Sequence, residues 1–134
     1  MLNQLFPNPE VQKRLTASSS GQLIQNYADY LQNDGYKEST MLHLIRAAAH
    51  FGYWIDTQGI TLQDVDDLVL EQFSNHLPTC RCPSSRPGHH DHTIVGTKQF
   101  LKYLSGKGVS KPLPKAPHLY QPLLDKFFQW MQLH

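Results

Sequence analysis

The sequence predicts an all-α domain of four short helices, with a fifth helix beyond a proline-rich linker. Three observations carry this. Seven of the nine prolines lie after residue 77, which leaves residues 21–77 free of proline. Within that stretch, apolar residues recur three and four apart, the spacing of a buried helical stripe. No segment needs to be read as a strand.

The first helix is expected over residues 21–34, where Leu23, Ile24, Tyr27, Ala28 and Leu31 form one stripe. The serines at 18–20 supply an N-cap or a flexible tail, and Gly35 sits where a C-cap glycine belongs. The second helix runs over 38–58 and is ended by Gly59. Met41, Leu44, Ile45, Ala48, Phe51, Gly52 and Ile55 form its apolar stripe, and His43, Arg46 and His50 share the other face. Thr61 with Asp64 three residues on reads as a weak capping box. One or two helical pieces then run to residue 77, burying Val65, Val69, Phe73 and Leu77.

Residues 78–88 (PTCRCPSSRPG) form a loop on composition. A further helix spans 92–106, with Ile94, Thr97, Leu101 and Leu104 on its stripe and Phe100 and Tyr103 beside it. Lys98 and Lys102 face away from that stripe. The segment 111–117 (KPLPKAP) is too stiff and donor-poor for a helix. The last helix, over 121–133, tolerates Pro122 in its first turn and carries Leu123, Leu124, Phe127, Trp130 and Met131. The expected organisation is an N-terminal extension (1–20), a helical domain (21–110) with a Cys/His-containing loop (78–92), a linker (111–117) and a C-terminal helical segment (118–134).

With 134 residues, 40% hydrophobic and 17% charged, the chain fits one domain and excludes a large multidomain enzyme. No apolar run approaches the roughly 18–20 residues of a membrane span, and the first residues lack the charge and apolar region of a secretion signal. Two cysteines do not make a disulfide framework. A cytoplasmic protein is expected. The net charge of +1 hides an asymmetry: residues 1–77 carry four Lys/Arg against nine Asp/Glu, and residues 78–134 carry eight against two. Such a split suggests a polyanion partner, although a solvated basic face would produce it equally well.

The strings GQLIQNYADYLQNDGYKESTMLHLIRAAAHFGYWI, ITLQDVDDLVLEQFSNHL and HTIVGTKQFLKYLSGKGV resemble the N-terminal core-binding domain of tyrosine recombinases and phage integrases. The matching features are Gly35-Tyr36, Thr40, the F-x-x-W of residues 51–54, the I-T-x-x-D-V of residues 60–65, and residues 98–104. The resemblance covers about residues 21–109. It departs at Lys37, where the family commonly has a capping serine, and at the loop 78–91, which resembles a Cys-containing insertion of one transposon-type branch.

The resemblance implies an orthogonal four-helix SAM-like bundle that forms half of a clamp around duplex DNA. It implies contacts from Lys37, Ser39, Thr40, His43 and Arg46 on the second helix and from Lys98 and Lys102 on the fourth. Lys107, Lys111 and Lys115 would follow the DNA toward a catalytic domain. Double-stranded DNA is therefore the expected partner, together with a full-length recombinase or other protomers, and no membrane or small-molecule substrate is expected. Between Lys98 and Lys115 there are five lysines and no acid, which is what phosphate contact requires.

Catalysis is not expected of this chain. His43-x-x-Arg46 matches one string of the recombinase active site, but it lies in the second helix of the core-binding pattern, and the chain holds only four arginines. Nucleotide-binding glycine motifs are absent from the sequence. Cys80, Cys82, His89 and His92 are candidate ligands of a structural zinc, two thiolates and two imidazoles within thirteen residues. The alternatives are a helical protein-interaction module, zinc-stabilised or not, and a truncated integrase remnant. Truncation is the expected origin of the last helix, whose exposed aromatics would otherwise dock back on the domain.

Overall fold

A computed structural model describes residues 2–80 and 90–110 of the chain. Among these the protein is all-α: α1 (Leu2–Leu5), α2 (Pro9–Leu15), α3 (Gly21–Asn33), α4 (Glu38–Gln58), α5 (Asp67–His76) and α6 (His90–Gly106). Two 3-10 turns, Leu62–Asp64 and Leu77–Thr79, flank α5. No helix among the described residues is long and apolar enough to cross a membrane. The expected linker at 111–117, the expected helix at 121–133 and most of the Cys/His loop lie outside the described residues.

Each long helix stops for a local reason. Among the described residues, Gly35, Gly59 and Gly108 have positive φ, at +82°, +68° and +74°. After each one, the next amide donates back to a carbonyl five residues earlier: Tyr36 to Leu31, Ile60 to Ile55, Val109 to Leu104. This is the Schellman closure, which satisfies helix-end carbonyls and turns an apolar residue inward. Tyr36, Ile60 and Val109 accordingly pack on the core. The sequence places the first two of these closures on Gly35 and Gly59, and α6 ends at Gly106 as expected, with Gly108 as its left-handed residue.

The start of α5 differs from the expected capping box. Thr61 donates its hydroxyl to the Asp64 carboxylate at 2.9 Å, closing the 3-10 turn without capping a backbone amide. Asp66 is the cap, accepting from the Val69 amide at 3.0 Å. Val65, Leu70, Phe73 and Leu77 are buried, with Val69 partly so.

The centre of the bundle is α4, which packs most extensively on α6 and next on α3. Residues 47–52 of α4 are all buried, so this stretch is enclosed on every side. Four of those six are Ala or Gly, which is what lets neighbours approach so closely. A Cβ placed on Gly96 would lie 2.7 Å from the Ala47 Cβ, so α4 and α6 cross here with no room for a methyl. This corrects the two-faced reading of the second helix. His43 and Arg46 are half-buried and His50 is 3% exposed, so they do not form an outer face.

Residues 2–20 pack onto the bundle. Asn8 caps α2 through the Glu10 amide, with Pro9 in the first turn. Leu2, Leu5, Phe6 and Leu15 join the core. Phe6 carries the Arg46 guanidinium 5.3 Å above its ring, a contact worth about 0.5–2 kcal/mol depending on desolvation. The serines before α3 are tied down as well: Ser19 donates both its amide and its hydroxyl to Asp56, at 2.7 and 2.6 Å. These donors offset the unfavourable position of a carboxylate at the C-terminal end of α4.

Gly96→Ala is expected to destabilise the domain by about 1–3 kcal/mol, the range for forcing a methyl into a close-packed crossing. Urea unfolding followed by circular dichroism measures it. An unchanged midpoint would show that α4 and α6 have slack at Ala47. Phe6→Ala should lower the midpoint too, whereas a dispensable N-terminal segment would leave it unmoved.

Candidate nucleic-acid interface and a histidine–cysteine cluster

Two groups of side chains stand out: the basic residues of α4 and α6, and a cluster of histidines and a cysteine between α4 and α5. Of the expected DNA contacts, Lys37, Lys102 and Lys107 are exposed. Lys98 is half-buried. Burial lowers its pKa, and the nearby Asp67 carboxylate pulls in the opposite direction. Ser39 and His43 are half-buried. Thr40 is 6% exposed and belongs to the packed side of α4, so its hydroxyl is not on the surface a phosphate would meet. Arg46 is engaged with Phe6. Lys111 and Lys115 lie outside the described residues.

Lys107 lies beside a knot of tyrosines, and Lys37 directly follows one of its members. Tyr27 on α3 packs 5.0 Å from Tyr103 on α6, and Tyr30 lies 4.8 Å from Tyr103. Lys107 places its ammonium 5.9 Å from the Tyr103 ring centre. Tyr36, next to Lys37, belongs to the same group, because it is among the neighbours that act electrostatically on Tyr27. The start of α4 and the end of α6 therefore share one end of the bundle, with Lys37 and Lys107 both on it. Acids share that end: Asp34 acts on Tyr36, and Asp29 acts on Tyr103.

Burial raises the pKa of Tyr27, Tyr36 and Tyr103, with neighbouring tyrosines and these carboxylates adding to the effect. The largest rise is at Tyr27, which is 1% exposed.

The second group was only partly legible in the sequence. His50 on α4, His76 at the end of α5 and Cys80 after the following 3-10 turn bring three ligand atoms within 4.8 Å of one another. His50 Nε2 lies 2.9 Å from Cys80 Sγ. Aromatic rings wall the group: Phe73 is 5.2 Å from the His50 ring, edge-on, and Trp54 is 5.8 Å from His76. Burial lowers the His76 pKa, favouring its neutral form. Of the residues expected to hold zinc, Cys80 is in this group. His92, half-buried at the start of α6, is not among its members. Cys82 and His89 lie outside the described residues. The members of the group that the sequence did not point to are His50 and His76. The signal for His76 was its place four residues before Cys80, close enough in sequence for a short turn to bring the two together.

No family model, curated protein or solved structure matches the chain.

The tyrosine knot has a consequence at high pH. In the unfolded chain these phenols ionise near 10.0, while the folded protein holds them protonated beyond that. The unfolded state thus binds fewer protons above this pH, and stability falls as pH rises. Urea midpoints measured from pH 8 to 11 should drop above pH 10, less steeply in Tyr27→Phe than in the parent. Parallel profiles for the two would remove Tyr27 as the source.

Proposed function

We propose that this chain is a DNA-binding domain of the tyrosine recombinase core-binding type, holding duplex DNA through phosphate contacts without cleaving it. An orthogonal, SAM-like arrangement of α3 to α6 is part of this reading. The observation that carries it is the placement of Lys37 and Lys107 at one end of the bundle, with Lys102 exposed on α6 five residues before Lys107. The resemblance in sequence supports it independently. The order of the helix punctuation at Gly35, residues 51–54 and residues 60–65 is that of the recombinase domain.

The weight falls on α6. Lys37 is flanked by Asp34 and Glu38, which weaken its pull on a phosphate. Lys98 is half-buried with Asp67 nearby and contributes less than Lys102 and Lys107. Phosphate contacts of this kind position a protein on DNA and carry little sequence information. Base readout would have to come from elsewhere, and strand cleavage from a catalytic domain. A full-length recombinase or another protomer on the same DNA is the protein partner this reading requires.

Fluorescence anisotropy of a labelled mixed-sequence duplex, titrated at several salt concentrations, tests it. Roughly three to five phosphate contacts give a log–log slope of about −3 to −4.5. Replacing Lys102 and Lys107 with Ala should weaken binding to all sequences alike and make the slope shallower by about two contacts. Lys98→Ala should change it by less. A folded protein that fails to bind at low salt would refute the DNA-binding reading and favour a helical protein-interaction module.

A further inference from the structure

We propose that His50, His76 and Cys80 are three protein ligands of a tetrahedral zinc site that pins α4 to the C-terminal end of α5. The site is separate from the lysines above and does not depend on the DNA-binding reading.

The donor set is the first argument. Two imidazoles and one thiolate suit zinc, whereas magnesium and calcium take oxygen donors. Geometry is the second. Zn–S near 2.3 Å and Zn–N near 2.0–2.1 Å place the ligand atoms of a tetrahedron about 3.3–3.6 Å apart. Here one pair stands at 2.9 Å and all three atoms lie within 4.8 Å. Seating the ion requires shifts of about an ångström, which rotation of the His76 and Cys80 side chains provides, since both are half-buried. His50 has less freedom, and its fixed Nε2 sets where the ion sits.

The setting is the third argument. His50 interrupts the most enclosed part of α4, between Ala49 and Phe51, where an imidazole gains nothing from apolar packing alone. Phe73 and Trp54 beside the ligands supply the apolar shell that limits water access to a metal centre. The ligands span thirty residues of chain from His50 to Cys80, so one ion closes a long loop of the unfolded polypeptide. Binding releases the Cys80 thiol proton to solvent, while both histidines coordinate as neutral imidazoles. The fourth position of the tetrahedron is left for water or an added ligand.

The test uses the full chain, stripped with a chelator and then titrated with Zn2+ and, separately, Co2+. One zinc per chain should bind at micromolar metal or tighter. The thermal midpoint should rise by on the order of 10 °C at a hundredfold excess over the dissociation constant. Co2+ should give a thiolate-to-metal charge-transfer band that Cys80→Ser abolishes. Cys80→Ser and His76→Gln should each weaken zinc binding by about a hundredfold or more, ligands mattering at least as much as their outer-shell partners. Both sites are half-buried, and circular dichroism of each variant confirms folding. Should a variant unfold, the parent titration alone decides. Absence of metal uptake by the parent overturns the proposal, as does a cobalt spectrum unchanged in Cys80→Ser. Rapid alkylation of Cys80 at neutral pH that zinc does not slow also overturns it, and would identify Cys80 and His50 as a reactive thiol–imidazole pair instead.

Discussion

The structure depends on one helix being buried on every side. Residues 47–52 of α4 touch neighbours all around their circumference, and a chain this short achieves that only with small side chains. Ala47 faces Gly96 of α6, and Gly52 faces the turn at Ser18 and Ser20. Phe51 packs edge-on against Phe73 of α5, 5.1 Å away. With full-sized residues at Ala47 or Gly52, α6 or the N-terminal turn would be displaced outward. The rest of the bundle is arranged around that axis. Three Schellman ends turn the chain back toward it, and the Ser19–Asp56 hydrogen bonds fasten the N-terminal turn to its far end.

The helix boundaries were legible in the sequence because they are set by local chemistry. A glycine able to adopt positive φ, followed by an apolar residue, closes a helix whatever surrounds it, and Gly35 and Gly59 both follow that rule. The role of residues 2–20 was not legible from hydrophobicity, because the stripe of Leu2, Leu5 and Phe6 is cut off after one turn by Pro7 and Pro9 and is too short to define a helix by itself. The local signal was nevertheless present in Asn8-Pro9-Glu10, an N-cap, a proline and an acid in the order that starts a helix. The outer face assigned to His43, Arg46 and His50 failed for a different reason. A helical stripe assumes one buried side, and nothing in a pattern of alanines says that a second and third side are covered as well.

The same limit explains why the candidate sites were read unevenly. Lys102 and Lys107 are exposed by default, since a long charged side chain is expelled from a core, and their surface placement follows from their type. Their association with Lys37 required tertiary structure, because the Tyr27, Tyr30 and Tyr103 contacts that bring α3 and α6 together are non-local. The histidine–cysteine group shows the reverse. Cys80 and its neighbours in the loop are near one another in sequence, which drew attention to residues 80–92. The residues that meet Cys80 in space are four residues earlier, at His76, and thirty residues earlier, at His50.

Lys37, the N-cap of α4, and His50 within it are thirteen residues apart, about 20 Å along the helix axis at 1.5 Å per residue. The proposed phosphate contacts and the proposed metal site therefore cannot share a ligand, and any influence of one on the other passes through the frame. That frame has a definite route. The cluster joins α5 to α4, α5 also touches α6, and α6 carries Lys102 and leads directly into Lys107. An ion at His50 would thus act on how firmly α6 is held and leave the number of phosphates it meets unchanged. Counterion release counts charges in contact, whereas stability reports how well the bundle is closed. Metal occupancy belongs to the second quantity and the lysines to the first, so the two sites are separable by measurement even though one helix joins them.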